Sequence, residues 1–215
     1  MAIAFDAVTD GGFGTVAGTT KTFAHTCTGS DRILFVATAG GSGFTDDITG
    51  VTYNTVAMTL VNKVKIPGDR YIYLWYLIAP ATGSNNVVVT TSTSGGFVGA
   101  SATSYTGAKQ SGQPDANTTN TVTGNSLTGT LTTIADNCWT VLAGEQNGAT
   151  PTAGTGSTLR TTSQNPELFD SNGAITPAGS TSMTITGSSG NGMALVMASF
   201  APAVSASAQP AIFMG

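Results

Sequence analysis

The chain has 215 residues, enough for one large β domain or two small ones, and for a core that needs no disulfide staples. Only 8% of residues are charged and the net charge is −4, with seven scattered Lys and Arg, so no basic patch is available to neutralise phosphates and nucleic acid is not an expected partner. No run of about eighteen apolar residues exists to cross a membrane as a helix, and MAIAFDAVTD lacks the basic n-region and apolar run of a secretory signal.

Polarity comes instead from Thr, Ser, Asn and Gly, which suit strands and turns. Helical periodicity is absent, and short alternating or apolar runs recur between turn signals. In chain order, strands are expected at Ile3–Val8, Lys21–Cys27, Arg32–Ala39, Val51–Tyr53, Ala57–Lys65, Arg70–Ile78, Asn85–Thr91 and Phe97–Tyr105. The second half adds Ser126–Thr133, Cys138–Gly144, Ser157–Thr161, Ser180–Thr186 and Met193–Phe200. Glycine-rich GGFG (11–14) and GTGS (154–157) lack the Lys and following helix of a phosphate loop and read as hairpin tips. YIYLWYLI (71–78) is the most apolar strand, expected at a central position with both faces covered.

Two pairs of segments resemble each other at an offset of about a hundred residues. SNNVVVTTSTSGGFVGASATSY (84–105) matches STSMTITGSSGNGMALVMASF (180–200): an alternating strand, a Ser/Gly turn, then a small-residue strand ending in an aromatic. SDRILFVATAGG (30–41) matches ADNCWTVLAGEQ (135–146). The expected fold is therefore an all-β antiparallel sandwich, jelly-roll-like, built from two related Greek-key halves at roughly 18–108 and 123–203. A single domain over 1–200 with one core is preferred to two tandem sandwiches, because each half alone has few large apolar residues. Residues 201–215, rich in Ala, Ser and Pro, read as an extended C-terminal arm whose apolar group Ile212, Phe213 and Met214 is expected to dock on a partner.

Few residues offer chemistry. Cys27 and Cys138 have no metal-ligand spacing and read as buried thiols, with one long-loop disulfide as the alternative. His25, the single histidine, shares a strand face with Phe23 and Cys27 and has no GxSxG context for a triad. Glu145 and Glu167 are the only glutamates, and nothing in the sequence brings them together as a hydrolytic pair. Asp46 and Asp47, in GFTDDITG, are weak calcium candidates without the DxDxDG pattern; a capped turn is the favoured reading. Tyr71, Tyr73 and Trp75 alternate with Ile72, Leu74 and Tyr76; core packing is favoured over a sugar-stacking face. No catalytic residue, cofactor or metal is expected.

Four pieces taken in order carry a family resemblance: DRILFVATAGGSG (31–43), ITGVTYNTVAMTLVNKV (48–64), YLWYLIAPATGSNNVVVT (73–90) and SATSYTGAKQ (101–110). The order resembles β-sandwich virion proteins of tailed bacteriophages, well over about 30–110 and loosely elsewhere. Where such relatives carry Asn-Gly, this chain has Asn54-Thr55, which counts against a type I′ turn there. The resemblance implies a non-enzymatic capsid decoration or head-fibre protein, or a tail appendage, made in the host cytoplasm. Its partners would be other copies of itself and a major capsid or other virion protein. The alternative is a tail or surface adhesin module that binds host-cell glycans through loops at one end of the sandwich.

Overall fold

A computed structural model of the chain describes residues 1–40, 45–161 and 166–204. The first half contributes β1 (Ala4–Thr15), β2 (Thr20–Cys27), β3 (Ile33–Gly40), β4 (Ile48–Tyr53), β5 (Val56–Ala57), β6 (Thr59–Lys65), β7 (Tyr71–Ile78), β8 (Gly83–Thr91) and β9 (Phe97–Thr106). They form a five-stranded sheet in the order β1-β9-β3-β7-β6 and a four-stranded sheet in the order β2-β8-β4-β5. The second half contributes β10 (Ala116–Thr123), β11 (Ser126–Thr132), β12 (Trp139–Gln146), β13 (Thr152–Ala153), β14 (Thr158–Leu159), β15 (Glu167–Asp170), β16 (Ser180–Thr186) and β17 (Gly192–Phe200). These form a sheet in the order β10-β17-β12-β15-β14 and a second in the order β11-β16-β13. Every pairing is antiparallel, so the protein is an all-β antiparallel sandwich.

The second half repeats the strand order of the first. β10, β17, β12, β15 and β14 occupy the places of β1, β9, β3, β7 and β6, and β11, β16 and β13 those of β2, β8 and β4. The matching segments 84–105 and 180–200 fall on β8–β9 and β16–β17, and 30–41 and 135–146 fall on β3 and β12.

The sheets stack in four layers around three apolar cores, where the sequence reading anticipated one. Leu34, Val36, Tyr73 and Trp75 of the first large sheet meet Val51, Tyr53, Val87 and Val89 of its small sheet. Leu142, Phe169, Leu195 and Met197 meet Leu127, Leu131, Met183 and Ile185 in the second half. Between the halves the two large sheets share Ile33, Phe35, Ile72, Leu74 and Tyr105 with Trp139, Val141, Leu168, Val196 and Phe200. Alternation explains the layering: even and odd residues of β3 serve different cores, so both faces of each large sheet are buried. Its strands consequently lose the polar-out alternation that the outer β11 retains.

Three local findings differ from the sequence reading. GGFG is not a hairpin tip; β1 runs through it to Thr15, with a bulge between Asp10 and Phe13 and Gly12 at φ 72°. β3, not β7, is central in its sheet, although β7 is covered on both faces. The Asn54-Thr55 link between β4 and β5 has φ 47° and 66°, the type I′ signature, despite the β-branched Thr. Cross-strand pairing of Tyr53 with Val56 imposes the turn that Thr alone would avoid. After β17 the chain returns to the first half, where Pro202 bridges Ala108 and the Ala203 N–H donates to Gly107 O at 2.7 Å.

Candidate functional site

A cleft of about 150 Å³ opens at one end of the junction between the halves, lined by Phe13, Arg70, Glu145, Gln146, Gly148, Ala149 and Glu167. It forms where β12 runs out at Gln146, beside the first residue of β15, the turn before β7 and the bulged end of β1. Arg70 donates to Asp69 through Nε at 3.3 Å and Nη2 at 3.2 Å. Its guanidinium lies 4.6 Å from the Phe13 ring centroid, and Nε is 3.6 Å from Glu145 Oε1. Phe13 stacks in turn on Phe97, centroids 5.6 Å apart, and both rings are exposed, at 38% and 53%. Glu145 is 7% exposed, and its Oε2 receives no hydrogen bond among the described residues. Burial pushes its pKa up to about 7; Arg70 pulls it down and Asp69 pushes it further up. Gln146 is committed, donating to Gly124 O at 3.1 Å and accepting the Ser188 N–H at 3.0 Å.

Both glutamates of the chain thus border one cleft, a convergence the sequence does not display. The pairing of Gly144 with Glu167 creates it. Alternation nevertheless sends Glu145 to the face of Val141 and Ala143, toward the first half, and Glu167 to the face of Phe169. Two carboxylates leaving a sheet on opposite faces do not flank a bond as a hydrolytic pair must.

His25 sits in a polar chain with Ser and Asp, but in the wrong sequence for nucleophilic catalysis. Ser104 Oγ donates to Asp6 Oδ2 at 2.7 Å, His25 Nε2 lies 3.1 Å from Ser104 Oγ, and Thr9 Oγ1 lies 2.9 Å from Nδ1. The carboxylate accepts only, which assigns the imidazole Nε2–H as donor to Ser104 and Nδ1 as acceptor from Thr9. A triad requires the opposite: a Ser hydroxyl that donates to His, and an acid behind the His. Ser104 is also fully buried and His25 only 1% exposed. Burial lowers the His25 pKa to about 4, against a smaller opposing pull from Asp6. For Asp6, burial acts upward, but hydrogen bonds from Thr28 and Ser104 outweigh it and hold the pKa below the usual value.

Asp46 and Asp47 are engaged by protein groups. Asp46 pairs with Lys63 and accepts the Tyr73 hydroxyl at 2.7 Å. Asp47 caps the turn after β8, accepting Ser92 Oγ, the Thr93 N–H at 3.2 Å and Thr93 Oγ1 at 2.7 Å. Among the described residues no three His, Cys, Asp or Glu gather as a metal site. Cys27 and Cys138 are free, buried thiols. Burial raises both thiol pKa values, that of Cys138 to about 11. Tyr73 and Trp75 are core residues, at 1% and 6% exposure, and no sugar-stacking face. Ile212, Phe213 and Met214 lie outside the described residues.

The sheet edges form a second candidate surface. β1 carries two register shifts, β6 a shift plus Lys63 and Lys65, β2 carries Lys21, and β5, β13 and β14 have two residues each. Bulges, lysines and brevity are the devices that keep edges from pairing. β10 (ANTTNTVT) and β11 (SLTGTLT) have none of them: both pair in unbroken register along one side only and contain neither charge nor Pro. They lie side by side, tied by Asn120 Nδ2 donating to Thr128 O at 2.8 Å.

No family model matches the chain, and no curated protein or solved structure is significantly similar to it.

Proposed function

We propose that the chain is a non-enzymatic structural protein of a bacteriophage particle that decorates or cements a capsid through contacts between subunits. The observation that carries this reading is the pair of unguarded edges, β10 and β11, where the other edge strands of the described residues carry bulges, lysines or only two residues. Antiparallel pairing of β10 with β10 of a second copy about a two-fold axis extends the large sheet across both subunits. Its Thr and Asn residues suit cross-strand hydrogen-bonded pairs, and no like charges oppose one another. The strand order β1-β9-β3-β7 over β2-β8-β4-β5 supports a jelly roll in each half, an architecture at home in particle shells. Ile212, Phe213 and Met214 are the proposed anchors in a neighbouring copy, a major capsid protein or another virion protein.

Light scattering of the wild type and of a Thr121→Lys, Thr123→Lys variant, both positions exposed on β10, tests the carrying observation. The expected result is an oligomer that the paired lysines dissociate. A wild type that stays monomeric at high concentration, or a variant of unchanged mass, overturns the edge contact.

The second reading is an adhesin module for host-cell glycans. It draws on the exposed Phe13–Phe97 stack at one end of the sandwich. Trp75 and Trp139, the residues best suited to stack sugars, are buried, which ranks it second.

A further inference from the structure

We infer that the groove where the two chain ends meet receives Ile212, Phe213 and Met214 from the C-terminal arm of a second copy. The inference rests on the reading that the arm anchors subunits, and it names the surface that takes the arm. The groove, of about 550 Å³, lies where Trp139 pairs with Phe200, at the opposite end of β12 and β17 from the cleft beside Gln146 and Met193. Met1, Ala2, Ile3, Trp139, Ala174 and Pro202 line it, and among the described residues no charged side chain does. Ala2 and Ala174 are exposed, as are Met1 and Val204, the residue that follows the groove wall. Apolar surface gathered in an uncharged concavity marks a place where an apolar group docks.

The length and composition of the chain beyond Val204 identify the occupant. SASAQPA (205–211) has no charged and no large apolar residue, and Ile212, Phe213 and Met214 follow it as one apolar group. From Val204 to Phe213 an extended chain spans about 30 Å. The groove, by contrast, begins at Pro202 and Ala203, the residues from which the arm departs. Return into the same chain's groove requires a tight reversal within SASAQPA, which has none of the Gly, Asn or Asp that such reversals use. Pro210 also biases Gln209 toward extended backbone. An extended arm overshoots its own groove and reaches that of a neighbour. Because each arm departs from the rim of a groove, a two-fold axis between two copies makes the exchange reciprocal, each copy giving one arm and receiving one.

The test is thiol trapping in the full-length chain, where the native Cys27 and Cys138 are buried with raised thiol pKa values and do not compete. Ala2→Cys puts a thiol in the groove wall, Ala211→Cys puts one beside the anchors, and Ser189→Cys, exposed at the far end of the domain, is the control. Chains carrying Ala2→Cys are mixed with tagged chains carrying Ala211→Cys under mild oxidation, and the mixed dimer is measured on a non-reducing gel. At about 10 μM protein it should form about a hundredfold faster than the dimer of the Ser189→Cys and Ala211→Cys chains, because a docked arm presents its thiol at an effective concentration on the order of millimolar. Ala174→Glu, its fold verified by an unchanged circular dichroism spectrum and Tm, should return the rate to that of the control. Replacement of Ile212, Phe213 and Met214 by Ser should do the same without touching the groove. The proposal is overturned if the mixed dimer forms at the control rate, or if a chain carrying both Ala2→Cys and Ala211→Cys closes the disulfide within itself. Truncation after Val204 separates its failure from that of the reading beneath it. Assembly lost on truncation with no groove cross-link removes the groove and keeps the arm as an anchor, whereas assembly unchanged by truncation removes both.

Discussion

Tyr105 and Phe200, the aromatic residues that end the two similar segments of the chain, pack against each other with ring centroids 5.0 Å apart. Phe35 and Trp139 complete the cluster, with Phe35 at 5.3 Å from Phe200 and Trp139 at 5.8 Å from Tyr105. Corresponding positions of the two halves thus meet at the centre of the layer that joins them. A polar clasp accompanies the rings: the Tyr105 hydroxyl donates to Asp170 Oδ2 at 3.0 Å, and Arg160 Nε donates to the same oxygen at 2.7 Å.

Phe200→Ala should cost about 3–5 kcal/mol, since the ring is fully buried and the rings of Phe35 and Tyr105 hold the cavity open. Tyr105→Phe removes one hydrogen bond but leaves Asp170 paired with Arg160, and should cost about 1–2 kcal/mol. Urea unfolding followed by circular dichroism checks both. If the central layer unites the halves, each variant unfolds in one transition, whereas two transitions would show that the halves melt separately.

Two buried groups pull stability in opposite directions with pH. The Glu145 pKa is raised to about 7 from the model-peptide 4.5, so folding favours its protonated form. Its stabilising effect is full below pH 4.5 and is lost as pH rises through 7. The His25 pKa is lowered to about 4 from 6.5, so folding favours its neutral form, and that contribution is lost as pH falls from 6.5 through 4. Each effect is on the order of 3 kcal/mol. They nearly cancel between these limits, and the wild type should show a flat stability profile from about pH 4.5 to 6.5. Glu145→Gln should raise stability at pH 8 and uncover a profile that declines on acidification. A variant curve parallel to that of the wild type would refute the assignment to Glu145.

At the β4–β5 turn, Thr55 holds φ 66°, where a β-branched side chain is strained. Its hydroxyl donates to Asn54 O at 2.6 Å, a local bond that offsets part of the cost. Thr55→Gly should stabilise by about 0.5–1 kcal/mol, which for a chain of this size raises Tm by roughly 1–4 °C. Asn54→Gly should change little, because Asn tolerates the left-handed region. Calorimetry on both variants separates relief of strain at Thr55 from a general preference for glycine in the turn.

Strands with one wet face were legible because alternation survives in them: β11 and β16 read correctly as Ser126–Thr133 and Ser180–Thr186. β10 escaped notice because ANTTNTVT has a single large apolar residue and half-exposed faces, the composition of a loop. β15 escaped because four residues are too few to show a period. The four layers were hidden in strands such as GMALVMASF, buried on both faces and therefore without polarity to count. Small residues there reflect close approach: a Cβ at Gly129 of β11 would lie 2.8 Å from Leu195 of β17. The cleft was illegible for a different reason. Glu145 and Glu167 meet through the register of β12 on β15, and a register that pairs Gly144 with Glu167 leaves no local mark in either segment.

Truncation after Val204 isolates the last proposed contact, because it removes Ile212, Phe213 and Met214 and keeps every strand of the described residues. Ala201 is buried, Pro202 bridges Ala108, and Ala203 O accepts the N-terminal ammonium at 2.7 Å, so truncation after Val204 keeps these contacts between the chain ends. The truncated chain should therefore keep the far-ultraviolet spectrum and melting temperature of the whole. If Ile212, Phe213 and Met214 anchor the protein in a neighbour, truncation should abolish that association in light scattering or in co-sedimentation with the particle. Substitution of the three by Ser in the full chain should do the same. The two proposed contacts separate cleanly by this route. Loss of assembly on truncation with β10 intact assigns it to the arm; assembly unchanged by truncation but broken by the β10 lysines assigns it to the edge and removes the arm from the account.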